Sequence, residues 1–380
     1  MMTQSELEKI LNRQGNPESP VLSLYLEIDP AWEEGFHRKF EVTFKSLLQS
    51  LEKEIKPEKI EDLRQDASRA WNFISNYKPG CRGLVLFSDD SEDFFLVHEL
   101  KIQVPPQAYW LERPYILPLL EALDEYERCG VILVDKERAR IFTYTLGEIE
   151  EEKVALAWND VRRFKTTGKD NLRSAFKLQR TTELHEQWHL KHVVQMMEEK
   201  LERKHFDRLI LGGSKEAVDE LIALLPPNLH TKIAGRLLIN VQVHEKKLLE
   251  ALMRSELEIE REEELKLIEK FIQADGPNRH RVLGPEGVLA HLNRGEIHTL
   301  VYSENFKAAG SKCRGCGYLF SNGRMMCGRC GSPIDSLPPL LEEMARRVVQ
   351  TGGSIEKVRE NAARRLDEAG GIGALLKRCP

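Results

Sequence analysis

The sequence predicts an α/β protein of three domains. Short apolar runs of strand length alternate with one-faced helical stretches along its whole length. At 380 residues the chain is too long for one ordinary domain. A long helix ends at Asp275-Gly276-Pro277, and a four-cysteine cluster follows only beyond that break. Hydrophobic residues make up 41 %, enough for real cores, while the longest apolar runs, such as Val131–Val134, fall far short of the roughly 20 residues of a membrane span. The start, Met1-Met2-Thr3-Gln4-Ser5-Glu6, lacks a basic and an apolar signal region, so the expected location is the cytoplasm and no membrane is expected as a partner.

The first domain is read as residues 1–128. A polar helix near Ser5–Asn12 precedes a strand at Val21–Ile28. Phe40, Phe44, Leu47, Leu48 and Leu51 fall on one helical face, and a second helix runs to about Tyr77. Gly83–Ser88 and Asp93–Val104 read as strands around an acidic turn. The second domain, 129–275, opens with strands at Gly130–Asp135, Ala139–Thr145 and Gly147–Trp158. A helical pattern runs through Lys204. Then come a strand at Arg208–Gly213, a helix at Lys215–Leu225 stopped by Pro226-Pro227, a strand at Leu237–Val243, and a helix from His244 to Gln273 long enough to bridge domains. The third, 276–380, has a helix at Gly284–Arg294, a strand at Ile297–Ser303, the cysteine cluster, and helices at Leu337–Thr351 and Ile355–Ala369.

The sharpest chemical signal is Cys313-x-x-Cys316, ten residues, then Cys327-x-x-Cys330. Each pair places two thiolates on one turn, and two such turns make a tetrahedral four-sulfur site. A full thiolate shell leaves no open position, so the expected cofactor is a structural zinc. Gly315, Gly317, Gly328 and Gly331 are read as relieving the turns, and Lys312, Arg314, Arg324 and Arg329 as a basic rim.

The net charge of −5 excludes a uniformly basic nucleic-acid binder, yet charge is segregated. Between Val161 and Arg180, Arg162, Arg163, Lys165, Lys169, Arg173, Lys177 and Arg180 face only Asp170. A cation excess of that kind suits phosphate contacts, so these seven residues are the candidate RNA-binding set; the plainer alternative is a solvated charged loop. His185-Glu186-Gln187-Trp188-His189 matches the zinc-hydrolase pattern in form. It lacks a third ligand, since Gln195 and Leu209 stand where one is expected, and Trp188 is read as packing against its own domain. Gly212-Gly213-Ser214-Lys215 lacks phosphate-loop spacing and reads as a strand-to-helix turn. No catalytic residue is assigned.

Cys129-Gly130-Val131-Ile132-Leu133-Val134-Asp135, Ala139-Arg140-Ile141-Phe142 and Gly147-Glu148 resemble the start of the middle domain of archaeo-eukaryotic peptide chain release factors and Pelota. Leu209–Gly213, His298–Asn305, the cysteine cluster and Ala369–Leu376 follow in the order of that superfamily. Val21–Leu26 and Arg113-Pro114-Tyr115 are similar to its bacterial members, among them Balon-like hibernation factors. The resemblance implies a release-factor-like middle domain, a mixed sheet with helices, and a C-terminal L7Ae-like α/β sandwich with an inserted zinc ribbon at 313–330. It implies a ribosomal A-site ligand that contacts ribosomal RNA through 161–180 and a translational GTPase through its last domain.

Two departures qualify it. Releasing members carry Gly-Gly-Gln before the long middle-domain helix, whereas Thr166–Asn171 has one glycine and no glutamine. The codon-reading motifs of the eukaryotic first domain are absent as well. The expected role is therefore occupancy in hibernation or rescue without peptidyl-tRNA hydrolysis. The rival is release or peptidyl-tRNA hydrolase activity from a degenerate loop.

Overall fold

A computed structural model describes residues 4–28, 39–125, 129–145, 147–156, 187–199, 206, 208–273, 280–321, 325–337 and 340–377. They fall into two compact units: 1–125 with 261–380, and 126–260. The first and third segments of the sequence thus form one body.

In the first segment, α1 (Gln4–Asn12) precedes β1 (Val21–Glu27), α2 (Lys39–Glu54), α3 (Ile60–Asn76), β2 (Gly83–Asp89), β3 (Phe94–Leu100), β4 (Gln107–Leu111) and α4 (Leu117–Glu125). The strands form an antiparallel sheet in the order β3-β2-β1-β4. Phe40, Phe44 and Leu51 of α2 and Leu63, Ala67, Ala70 and Ile74 of α3 cover one face of it. Strand β4, with Pro105 and Pro106 before it, was not expected from its half-buried, mixed sequence.

The middle unit contains β5 (Cys129–Val134), β6 (Arg138–Thr145), β7 (Glu148–Leu156), a helix over 187–199 (α5), β8 (Arg208–Gly213), α6 (Lys215–Leu224), α7 (Pro227–His230), β9 (Ile233–Leu237) and the start of α8 (Glu245–Gln273). Its sheet runs β7-β6-β5-β8-β9, with β5, β8 and β9 parallel and β6 and β7 antiparallel. Both faces are covered. Leu190, Val193 and Met197 of α5 and Val218 and Leu221 of α6 pack on one, while Leu248 and Leu252 of α8 pack on the other. The all-apolar β5 and the apolar run Leu209–Gly213 of β8 are what two covered faces require.

The strand expected at Leu237–Val243 lies instead at Ile233–Leu237. Residues after Leu237 turn: Leu238 is exposed, while Val241 folds back into the core under α8. Gly213 has φ +138°, and a Cβ there would collide with the carbonyl of Val134 on the neighbouring strand. Ser214 then caps α6 by accepting from the Ala217 N–H. Sheet packing and a helix cap account for the Gly-Gly-Ser turn.

The third segment adds β10 (Arg281–Leu283), α9 (Pro285–Leu292), β11 (Ile297–Ser303), β12 (Gly310–Cys313), β13 (Leu319–Phe320), β14 (Ile334–Leu337), α10 (Leu340–Gln350), β15 (Ser354–Val358), α11 (Glu360–Glu368) and β16 (Ile372–Leu376). A mixed sheet runs β10-β16-β11-β15, and a three-stranded ribbon, β13-β12-β14, is inserted between β11 and α10. The helix expected at Ile355–Ala369 is corrected. Its first residues form β15, parallel to β11 from Thr299↔Ser354 to Ser303↔Val358, and only Glu360–Glu368 is helical. Ile355 and Val358 stand three positions apart with Glu356 and Lys357 between them, a helical spacing that continues into Glu360–Glu368 and hides the strand.

Joining the first and third segments is Arg346, 1 % exposed. Its guanidinium donates to the carbonyls of Leu11 (2.9 Å) and Pro114 (2.5 Å) and to Glu342 (2.9 Å). Glu342 in turn accepts from the Leu117 N–H at 2.9 Å, which also satisfies the start of α4. Glu121 of α4 takes Tyr302 Oη–H and Lys357 Nζ, each at 2.9 Å.

Candidate metal centre

The ribbon brings all four predicted cysteines together. Cys313 Sγ lies 3.3 Å from Cys330 Sγ, and Cys316 Sγ lies 3.7 Å from Cys327 Sγ. All four sulfurs fall within 4.8 Å of one another. A tetrahedral site with metal–sulfur bonds of about 2.3 Å needs sulfurs about 3.8 Å apart, so this cluster has the size of one metal shell. Among the described residues it is the one group of three or more His, Cys, Asp or Glu side chains able to share an ion.

Local backbone geometry builds it. The Gly317 N–H donates to the Cys313 carbonyl (3.0 Å), and the Gly331 N–H to the Cys327 carbonyl (2.9 Å). Both glycines have φ near +70°, the conformation that closes a tight turn around a thiol and that side chains resist. Gly315 serves differently: a Cβ there would press on Ser332 and on Cys330 Sγ. Gly328 has a negative φ and open space around it, so the expectation that it relieves a turn is not met. The Ser332 hydroxyl and N–H hold the Cys330 thiol down to about 6, and the N–H groups of Arg329 and Cys330 lower that of Cys327. Donors of this kind favour the thiolate at Cys327 and Cys330, whereas at Cys316 the Tyr318 N–H is outweighed by partial desolvation and hydrogen bonds with the neighbouring cysteines, which push the thiol up to about 11.

The rim is more neutral than its sequence suggests. Lys312 pairs with Glu343 at 2.7 Å, Arg314 pairs with both oxygens of Asp335 at 2.6 Å, and Arg329 lies 4.8 Å over the Tyr318 ring. Arg324 lies outside the described residues. Asn293 clamps the ribbon to α9, accepting from the Leu319 N–H (2.9 Å) and donating to its carbonyl (3.0 Å); Arg347 of α10 donates to the Gly317 carbonyl.

The other expected sites divide. Arg162, Arg163, Lys165, Lys169, Arg173, Lys177 and Arg180, the loop Thr166–Asn171, and His185 and Glu186 all lie outside the described residues. His189 is 5 % exposed, within the face of α5 that packs on the sheet, and burial depresses its imidazole's proton affinity. His192 sits on the exposed face. The expectation that Trp188 packs against its own domain is corrected: it is 72 % exposed. Gln187 and Trp188 stand on the outer side of α5 while Leu190, Val193 and Met197 take the inner one.

Residues 114–257, which take in α4 and nearly all of the middle unit, match the model of bacterial archaeo-eukaryotic release factor family 10. The middle segment is release-factor-like. The chain is also 24 % identical over 254 residues to the uncharacterized protein YocB of Bacillus subtilis, a match spanning 63 % of this chain and 94 % of YocB. Among solved structures it resembles the archaeal translation termination factor aRF1 (18 % identity, 98 % and 97 % of the two chains, TM-score 0.27). It also resembles Pelota of Archaeoglobus fulgidus (15 %, 78 % and 80 %, TM-score 0.32) and Dom34 of S. cerevisiae (11 %, 77 % and 80 %, TM-score 0.41). Among the described residues no helix is long and apolar enough to cross a membrane.

Proposed function

We propose that this protein is a ribosome-binding translation factor that occupies the A site in hibernation or rescue without hydrolysing peptidyl-tRNA. The carrying observation is that a release-factor-like segment, 114–257, has no Gly-Gly-Gln at Thr166–Asn171. Holding a water against a peptidyl ester needs a glycine turn and a backbone donor close to the carbonyl, and a single Gly168 between Thr167 and Lys169 does not supply that pair. Shape and charge remain: a middle domain with seven cations in twenty residues at 161–180, suited to RNA phosphates. The four-cysteine cluster holds one structural zinc, fixing the ribbon beside α9 and α10. The chain acts through three segments, 1–128, 129–275 and 276–380, the first and last joined in one body and the last meeting a translational GTPase, in the cytoplasm.

Sedimentation with ribosomes at two salt concentrations tests the reading. Log affinity falls with log salt by about 0.7 to 0.9 per phosphate contact. The triple change Lys165→Ala, Lys169→Ala, Arg173→Ala is expected to flatten that slope by about two to three units. No binding by the unaltered protein overturns the proposal. Rapid, saturable release of a labelled peptide from programmed ribosomes overturns its non-hydrolytic part.

A further inference from the structure

We infer that the cysteine cluster is an oxidation site: hydrogen peroxide joins Cys313 to Cys330 and Cys316 to Cys327 as disulfides, and the bound metal is lost. The inference rests on the reading of the cluster as a zinc site and adds its response to oxidants.

The four sulfurs are not equally placed. Cys313 and Cys327 are buried, at 1 % and 3 % exposed, while Cys316 and Cys330 stand exposed. The two close contacts cross between the CxxC turns, and each joins one residue of either kind. Cys330 Sγ lies 3.3 Å from Cys313 Sγ, and Cys316 Sγ lies 3.7 Å from Cys327 Sγ. A small oxidant thus meets a sulfur at the surface that has a second sulfur directly behind it. That is the arrangement of an attacking cysteine and its resolving partner. Burial makes the site selective. The other two described cysteines, Cys81 and Cys129, are 1 % and 2 % exposed within the cores of the first segment and the middle unit. Buried thiols in apolar surroundings are inert.

The chemistry closes without a further reagent. The exposed thiolate attacks one peroxide oxygen: an S–O bond forms, the O–O bond breaks, and hydroxide leaves. Sulfur is oxidised to the sulfenic acid and peroxide is reduced. The buried thiolate then attacks that sulfur, forming the S–S bond and expelling the second hydroxide. Solvent protons convert both hydroxides to water. Two thiolates, one peroxide and two protons give one disulfide and two waters. A disulfide sulfur is no longer an anionic ligand, so closing one pair leaves two of the four thiolates that a structural zinc shell needs.

The test uses the full-length protein purified with its zinc. Native mass spectrometry should show one zinc per chain before treatment. Two equivalents of hydrogen peroxide should bring it near zero, with peptide mapping giving Cys313–Cys330 and Cys316–Cys327 and leaving Cys81 and Cys129 open to alkylation after unfolding. Dithiothreitol with added zinc should restore the loaded protein. That reversal separates disulfides from oxidation of Met325 and Met326, which are 88 % and 57 % exposed and whose sulfoxides need a dedicated reductase. Cys316→His keeps a four-ligand shell of three cysteines and a histidine but removes one pair. It should still lose zinc to peroxide and give the Cys313–Cys330 disulfide alone. Zinc retained under peroxide, with all four cysteines reduced, overturns the inference. So do disulfides within the turns, Cys313–Cys316 and Cys327–Cys330, or a loss that dithiothreitol cannot reverse. A protein without zinc before any peroxide is added defeats the parent reading of the cluster instead, and is seen before the oxidant enters.

Discussion

The cysteine ribbon and the seam between the first and third segments are both closed by polar side chains, at opposite reaches. In the ribbon, Cys313 and Cys330 are 17 residues apart, and the N–H groups of Cys316, Arg329 and Ser332 already point at the sulfurs of Cys313, Cys327 and Cys330. Little apolar surface helps: among the described residues, Cys313, Leu319 and Cys327 are its buried hydrophobic ones. In the seam, Arg346 reaches carbonyls 335 and 232 positions away, amid a fully packed interior. A module with so small a core would depend on an ion at its four sulfurs and would fail by itself when the ion is lost. A buried charge in a large core depends on all its partners at once, and its failure spreads through the unit that contains it.

The largest expected effect comes from the ribbon. Cys316→Ser removes one thiolate of four, and the zinc bound per chain, read by native mass spectrometry, should drop from one to well below it. Metal binding stabilises isolated zinc modules by something on the order of 10 kcal/mol, so residues 310–337 should lose hydrogen-exchange protection while 126–260 keep theirs. A purified protein that carries no metal, with the ribbon still protected, would show that the Asn293 and Arg347 clamps suffice.

The two regions also explain what could be read from the sequence. The thiol cluster was legible because its geometry is local: paired spacings and turn glycines fix it whatever surrounds them. The strands β5, β6, β8 and β11 were legible because their apolar runs match covered sheet faces. Arg346 was not, since nothing near it in sequence announces partners at Leu11 and Pro114; it sits among Glu342, Glu343 and Arg347, which read as an ordinary charged helix face. Strand β15 was missed because its partner, β11, is fifty-five residues upstream in the register Thr299↔Ser354. The exposure of Trp188 was misread because size alone argues for burial, and only the placement of Leu190 and Val193 shows that the inner face was already taken.

Next in size is the seam. Arg346→Ala should cost about 3 to 5 kcal/mol in urea unfolding, because it strands the buried Glu342 carboxylate along with the Leu11 and Pro114 carbonyls. Burial pushes the Glu342 carboxyl upward even with its arginine present, so its charge has no other refuge. Replacing both together, Arg346→Met with Glu342→Leu, should recover much of the loss, since an apolar pair of similar volume strands no charge. Recovery would make the seam an ordinary core that happens to be ionic. If the double change were as damaging as the single, the backbone hydrogen bonds to α1 and α4 would be its essential part.

The smallest effect lies at the seam's edge. Tyr302 is 1 % exposed and donates to Glu121 Oε1, while Lys357 donates to Oε2. Burial and the nearby Glu121 charge drive the phenol's ionisation far upward, so it remains a donor throughout the neutral range. Tyr302→Phe keeps the ring and its packing and removes one hydrogen bond, while Glu121 keeps its ammonium partner. The expected cost is about 1 kcal/mol, against several for Arg346→Ala. Combining Tyr302→Phe with Lys357→Met should cost more than the sum of the two, because the second loss leaves the carboxylate with neither donor. A strictly additive double mutant would mean that water already serves Glu121. A cost for Tyr302→Phe matching that of Arg346→Ala would place the weight of the seam on the α4–β11 contact, with the buried guanidinium secondary to it.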